Sequence, residues 1–321
     1  MRKAVKIWLI VASALLISGC VILGIAMAVQ KWDFTKLSTM EYETNEHRIT
    51  EGFKAISVNT NIADVKLIPS ESAECSVVCR EQSKMKHTVA VADGTLTVNV
   101  VDTRKWYERI GIMNIGMPEI CLYIPAGEYD SLSVNTDTGD VEISKDFKIS
   151  GIDVVTTTGD VKNYSPVSDT VKINTTTGSI LVENTSVGTL DLTTTTGKVT
   201  ASAVTCEGDA TVRVTTGKVS LTDVTCRSLI SNGDTGDMIL KKVIASERIS
   251  VERSTGDVSF EGCDASEIFV LTSTGDIEGS LLSEKVFVAN TDTGRKDVPN
   301  TSSGGRCELT TATGDIRIRL E

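Results

Sequence analysis

The dipeptide Thr-Gly returns along the chain at a nearly fixed interval, and that period constrains the fold more than any other feature. Its glycines are Gly139, Gly159, Gly178, Gly197, Gly217, Gly236, Gly256, Gly275, Gly294 and Gly314, spaced by 19 or 20 residues. A period held this long marks a repeat architecture, in which one small unit stacks on the next. Each glycine sits in a phrase such as "TTTGDV" (Thr156–Val161) or "TSTGDI" (Thr272–Ile277).

The flanking residues show what stacks. Two places past the glycine stand Val141, Val161, Ile180, Val199, Val219, Met238, Val258, Ile277 and Ile316, with Asp297 read as a break. Four places past it come Ile143, Val182, Ala201, Leu221, Leu240 and Phe260, with Asn163 and Gly279 as exceptions. Pairs such as Val171/Ile173, Leu190/Leu192 and Ile249/Val251 precede the next glycine. Alternation by two turns one face of a strand inward, and no amphipathic-helix spacing competes with it. A unit of two or three short strands cannot bury its apolar face alone, whereas coiling it onto its neighbours makes a continuous interior. The expected fold is therefore all-β: a parallel β-solenoid, a single-stranded β-helix expected to be right-handed, of about ten rungs at ~4.8 Å spacing. The glycine marks the corner of each rung, where positive φ is needed and a Cβ would clash. Ile316–Glu321 is expected to form the open end of the rod, with Arg317 and Arg319 pointing outward to discourage edge pairing.

Residues before the repeat divide into three. Residues 7–29 carry no charge, follow Arg2, Lys3 and Lys6, and are long enough to cross a bilayer as a helix. The positive-inside rule puts the N-terminus in the cytoplasm and the rest outside. Ile17-Ser18-Gly19-Cys20 also fits a lipoprotein signal, so Cys20 is a lipidation candidate and a lipoprotein the alternative localisation. The domain plan is a cytoplasmic tip and signal-anchor helix (1–30), a polar stalk (31–51), an irregular β region (52–130) and regular repeats (131–321). The irregular region holds a hairpin about Asp93-Gly94 and a degenerate rung with Ala63 in the glycine's place.

Charge narrows the partners. All 43 acidic residues and 29 of the 32 basic ones follow residue 30, a net of −14. Nucleic acid, bound through clustered Lys and Arg, is not expected, whereas a cationic peptide suits such a field. With two histidines, His47 and His87, and 4% aromatic residues, the chain has little for His-based catalysis or for stacking sugars.

The path from "FKAISVNTNIADVKLIPS" through "CLYIPAGEYDSLSVNTDTGDVEI" to the repeated "TTTGDV" resembles the bacterial "putative adhesin" β-strand-repeat family, a domain of unknown function. The resemblance covers about residues 52–321. It implies a parallel β-solenoid at the cell envelope, often behind a membrane helix, and no catalytic residues. Some members of that family are encoded beside envelope-stress regulators.

Four further features bear on function. Asp237, Asp257 and Asp276 follow the corner glycine on successive rungs and could gather Ca²⁺, or could simply bond turn amides. The pairs Thr136/Thr138, Thr156/Thr158, Thr175/Thr177, Thr194/Thr196, Thr272/Thr274, Thr291/Thr293 and Thr311/Thr313 are expected to face one way on a flat wall. Such ranks resemble those of ice-binding solenoids, although Thr ladders also stabilise stacks by themselves. Cys206 and Cys226 should stack on adjacent rungs, as a disulfide or as a reduced buried pair, while Cys263 and Cys307 read as core. Units held to 19 or 20 residues leave no room for a catalytic loop. The expectation is a membrane-anchored, non-catalytic binding or scaffold protein without cofactor. Its partners are the membrane, through residues 7–29, and an envelope glycan, protein or cationic peptide. The alternatives are an envelope-stress sensor for cationic peptides and, more remotely, a calcium- or ice-binding solenoid or a polysaccharide-active β-helix enzyme.

Overall fold

The computed structural model describes residues 3–29, 32, 42–70, 74–105 and 117–321. Arg2 and residues 33–41, where most of the expected stalk falls, lie outside the described residues. One helix, α1 (Lys3–Val29), is followed by strands that join a single sheet. Val5–Val29 of this helix are long and apolar enough to cross a membrane.

The strands before the regular coils are β1 (Tyr42–Ile49), β2 (Ala55–Ile62), β3 (Asp64–Ser70), β4 (Cys75–Gln82), β5 (Met85–Ala92), β6 (Thr95–Asp102) and β7 (Glu119–Pro125). The coils run through β8 (Glu128–Thr138), β9 (Val141–Ile143), β10 (Lys148–Thr158), β11 (Val161–Asn163), β12 (Val167–Thr177), β13 (Ile180–Thr196), β14 (Val199–Cys206) and β15 (Ala210–Thr216). They continue as β16 (Val219–Thr235), β17 (Met238–Thr255), β18 (Val258–Thr274), β19 (Ile277–Leu281), β20 (Lys285–Thr293), β21 (Lys296–Asp297), β22 (Gly305–Thr313) and β23 (Ile316–Leu320). Neighbouring rungs pair in parallel and in register, as in Thr156↔Thr175 and Val161↔Ile180. The expected solenoid is the fold.

The apolar inward columns join into one unbroken core cluster from Ile56 to Ile318. Each buried Val, Ile or Leu contributes roughly 1.5–3 kcal/mol, and no single rung could collect enough of them alone. The corner glycine follows from how closely the rungs approach. A Cβ on Gly217 would lie 1.8 Å from the carbonyl oxygen of Gly197, and one on Gly178 1.9 Å from that of Gly159. Their φ angles, 146° and 155°, are also ones that side chains avoid. Ala63 escapes this contact because it opens the column and has no corner glycine beneath it.

A second corner six residues on was not legible in the repeat. It places Asn184, Ala203, Asp223, Lys242 and Gly262 at φ between 49° and 59° on successive rungs. Asn, Asp and Gly tolerate this left-handed conformation; Ala203 and Lys242 hold it because their neighbours in the stack do.

The order of the final rungs differs from the sequence. β18 pairs with β22, not β20, and β20 pairs with the far side of β22. The corners therefore stack as Gly256, Gly275, Gly314, Gly294, which corrects the expectation that Ile316–Glu321 is the open end. β23 lies between β19 and β21, and the outer edge belongs to β20. The register also corrects the break in the apolar column: Lys296, not Asp297, stands opposite Ile316. A lysine fits there because its rung is the last and has nothing above it to bury against. Lys285 fastens this end, its buried ammonium 2.7 Å from Asp264 Oδ1.

The opposite end is capped by antiparallel strands. β1 pairs with β4, β4 with β7, and β5 with β6 about the Asp93-Gly94 turn, where both residues have positive φ. Residues 42–49, read from sequence as stalk, thus form a strand of the cap. β2 and β3 form the degenerate rung and pair with β8 and β9 of the first regular coil.

Candidate recognition edge and a buried polar cluster

The Thr-Gly-Asp phrase builds one continuous edge. Its parts do different work because strand alternation breaks at the corner. Thr156, Thr175, Thr194, Thr272 and Thr311 are buried, while Thr158, Thr177, Thr196, Thr274 and Thr313 point outward. This overturns the flat wall of paired threonines and removes the geometric basis for the ice-binding alternative. The buried hydroxyls instead reach the corner carbonyl of the neighbouring rung: Thr175 Oγ1 to Gly159 O at 3.2 Å, Thr194 to Gly178 at 3.1 Å and Thr311 to Gly275 at 3.0 Å.

The aspartates after the glycine also bond across rungs. Asp140 Oδ1 accepts the Asp160 N–H at 2.8 Å, Asp237 that of Asp257 at 3.2 Å, Asp257 that of Asp276 at 2.8 Å, and Asp276 that of Asp315 at 2.7 Å. Asp237, Asp257 and Asp276 therefore form one column, each spending one oxygen on an amide and leaving the other outward. They form no ion pair among the described residues, unlike cross-rung pairs elsewhere such as Arg227–Asp209 and Arg213–Asp191. With Asp234, they make an uncompensated acidic stretch. Lys198 and Lys218 interrupt the edge at mid-rod, and Arg295 follows Asp315 at its end. The N–H of Arg295, donated to Asp315 Oδ1, holds that carboxyl below its ordinary range.

Other recesses are grooves between rungs. One of about 470 Å³ is lined by Glu128, Lys148, Ser168, Gly188 and Glu207 among others, and one of about 440 Å³ by Phe260, Glu278, Arg317 and Arg319 among others.

Cysteines fall where the repeat puts them. Cys206 and Cys226 are buried free thiols in the third segment of their coils, next to the register pair Thr205↔Thr225. Cys263 and Cys307 are core residues. Burial pushes the thiols of Cys226 and Cys307 up to about 12. Cys20 is exposed on α1, which continues unbroken to Val29.

Two buried polar features were missed from sequence. Arg253 occupies the threonine column at 2% exposure, with Nη1 donating to Val214 O at 3.3 Å and Nη2 to Ser231 Oγ at 3.1 Å. Its Nε has no partner, and desolvation lowers its pKa. It fits because Gly233 lies below, where a Cβ would stand 1.8 Å from Nη1. The irregularity of Val214, Gly233 and Arg253 in that column was the available signal.

The second feature lies in the cap. Cys79 and Glu81 share the inner face of β4, and His87 enters from β5; a donor atom from each lies within 4.8 Å of the others. Glu81 Oε2 accepts His87 Nδ1 at 2.7 Å and the His87 backbone N–H at 2.6 Å. Asn45 Nδ2 donates to Glu81 Oε1 at 2.7 Å, and His87 Nε2 lies 2.9 Å from Thr60 Oγ1. The alternation Cys79-x-Glu81 and the turn into β5 were readable, but nothing in sequence said that this face turns inward.

No curated protein matches the sequence. Among solved structures, a protein named putative adhesin from Parabacteroides merdae is 11% identical, with a TM-score of 0.47 over 74% of this chain and 96% of its own. A putative adhesin from Parabacteroides distasonis is 8% identical, with a TM-score of 0.48 over 75% of this chain and 98% of its own. A putative lipid binding protein from the same species is 14% identical, with a TM-score of 0.38 over 84% and 97%. The family model described as Toastrack DUF4097 matches residues 53–213 and again 207–321, taking in both ends of the rod and every corner glycine between them. With its rungs and corners inside those two matches, and only β1 of the cap before them, the chain belongs to the Toastrack DUF4097 family.

Proposed function

We propose that this protein is a membrane-anchored, non-catalytic, adhesin-like recognition module of the bacterial cell envelope, and that its acidic edge takes cationic partners. The observation that carries this reading is the column Asp237, Asp257 and Asp276, linked through backbone amides and free of ion pairs among the described residues, with Asp234 on the strand just before it. A polycation laid along the rod would meet carboxylates at the rung spacing of about 4.8 Å. The edge is preorganised, so little ordering opposes binding. In this reading α1 is the uncleaved anchor, and the net charge of −14 beyond residue 30 steers cations toward the rod. Glycan binding at the grooves and a passive scaffold are the competing roles; an envelope-stress sensor would use the same acidic edge.

The test is titration of the full chain, held in nanodiscs of neutral lipid, with cationic peptides and with neutral envelope glycans at low and moderate salt. Saturable peptide binding that weakens with salt is expected. Glycan binding insensitive to salt would move the site to the grooves, and no binding at all would leave only the scaffold.

A further inference from the structure

The chain has two histidines, and the cap brings both to one face of the β1–β4 pair and its neighbour β5. In the register Asn45 faces Cys79 and His47 faces Val77, so Asn45, His47, Val77, Cys79 and Glu81 all point to one side. Asn45 bonds its diagonal neighbour Glu81 at 2.7 Å. His47 stands in the same diagonal relation to Cys79, within the roughly 7–8 Å that cross-strand diagonals span. Its Nε2 is buried and has no hydrogen-bond partner. Cys79, fully buried, forms no hydrogen bond with a described residue, whereas Cys206 and Cys263 donate to carbonyls.

We propose that Cys79, Glu81 and His87, whose donor atoms cluster within 4.8 Å, bind Zn²⁺ in the cap, and that His47, whose ring lies outside that cluster, swings in as the fourth ligand. A thiolate, a carboxylate and two imidazoles suit a tetrahedral structural zinc site. The outer contacts needed to aim such ligands are present. Thr60 Oγ1 lies 2.9 Å from His87 Nε2, where it can accept the ring N–H and leave Nδ1 for the metal. Asn45 holds Oε1 of Glu81 and leaves Oε2 on the side of His87. Zinc would displace the Cys79 thiol proton and balance the buried Glu81 carboxylate. The site ties β1, the first strand after the membrane segment, to β4, β5 and the first rung, so loading would lock the cap onto the rod.

The full chain, purified in detergent and stripped with chelator, is titrated with Co²⁺ and then Zn²⁺. Expected is one Co²⁺ per chain with a sulfur-to-cobalt charge-transfer band, displaced by Zn²⁺, and a higher melting temperature in Zn²⁺. The band should vanish in Cys79→Ser, weaken in His47→Gln and His87→Gln, and persist in Cys226→Ser. Absence of a thiolate band in the wild-type chain, which needs no variant to fold, would overturn the proposal. So would an unchanged band in a Cys79→Ser chain whose β-sheet circular dichroism is intact.

Discussion

The buried threonine column shows how one residue type serves two ends. Where Thr194 bonds the carbonyl of Gly178, its hydroxyl contributes to the stack; where Thr156 Oγ1 is buried with no partner, the hydroxyl is desolvated without return. Thr156→Val should therefore stabilise the protein by ~1 kcal/mol and Thr194→Val destabilise it by ~1 kcal/mol, read from urea midpoints. Equal effects of one sign would refute the distinction. Arg253 poses the same question with charge. Arg253→Met, which keeps volume and removes an uncompensated buried cation, should raise stability by about 1–4 kcal/mol. Arg253→Ala should give less or become destabilising, because a void replaces the side chain. The corner glycines could be read in the sequence because their spacing is rigid. The inward turn of Thr156 could not, since strand alternation predicts that it shares a side with Thr158 and only the corner breaks that parity.

Elements stack by register, and register is set by columns that look alike in every rung. The apolar pattern therefore revealed a solenoid but not the order of its last coils. The one local sign was the polar residue after Gly294, misplaced by one position as Asp297; Lys296 in an apolar column marks a rung with no neighbour above. Because β22 is paired on both sides and β20 on one, amides of Gly305–Thr313 should exchange hydrogen more slowly than those of Lys285–Thr293. The reverse order would mean that the coils follow the sequence. The buried thiols give these elements a pH signature. Unfolded thiols ionise near 9, whereas folding holds Cys79, Cys226 and Cys307 protonated to about 12 and Cys75 to about 11. The unfolded state thus loses protons first. Stability of the metal-free protein is full below pH 9 and falls as the pH rises from there towards 12. Urea midpoints at pH 7, 9 and 10.5 should decline over the last interval; a flat profile would show that these thiols are solvated in the folded protein.

For the whole molecule, the rod turns a local phrase into a long, ordered edge. Eleven corners, from Ala63 to Gly294, span roughly 50 Å at the rung spacing. The overall acidity was legible in composition, but its placement was not. Only the structure separates aspartates paired with arginine, such as Asp191 and Asp209, from those left open on the edge. Asn in place of Asp keeps an oxygen for the amide of the next rung while removing the charge, so it separates recognition from stacking. The decisive measurement is peptide affinity of the chain carrying Asp237→Asn, Asp257→Asn and Asp276→Asn together, compared with wild type in the same nanodiscs. Three exposed charge contacts at the usual strength set the expected loss at about tenfold or more, with an unchanged melting temperature and a shallower salt dependence. Undiminished affinity with the same salt dependence would contradict recognition by the acidic edge.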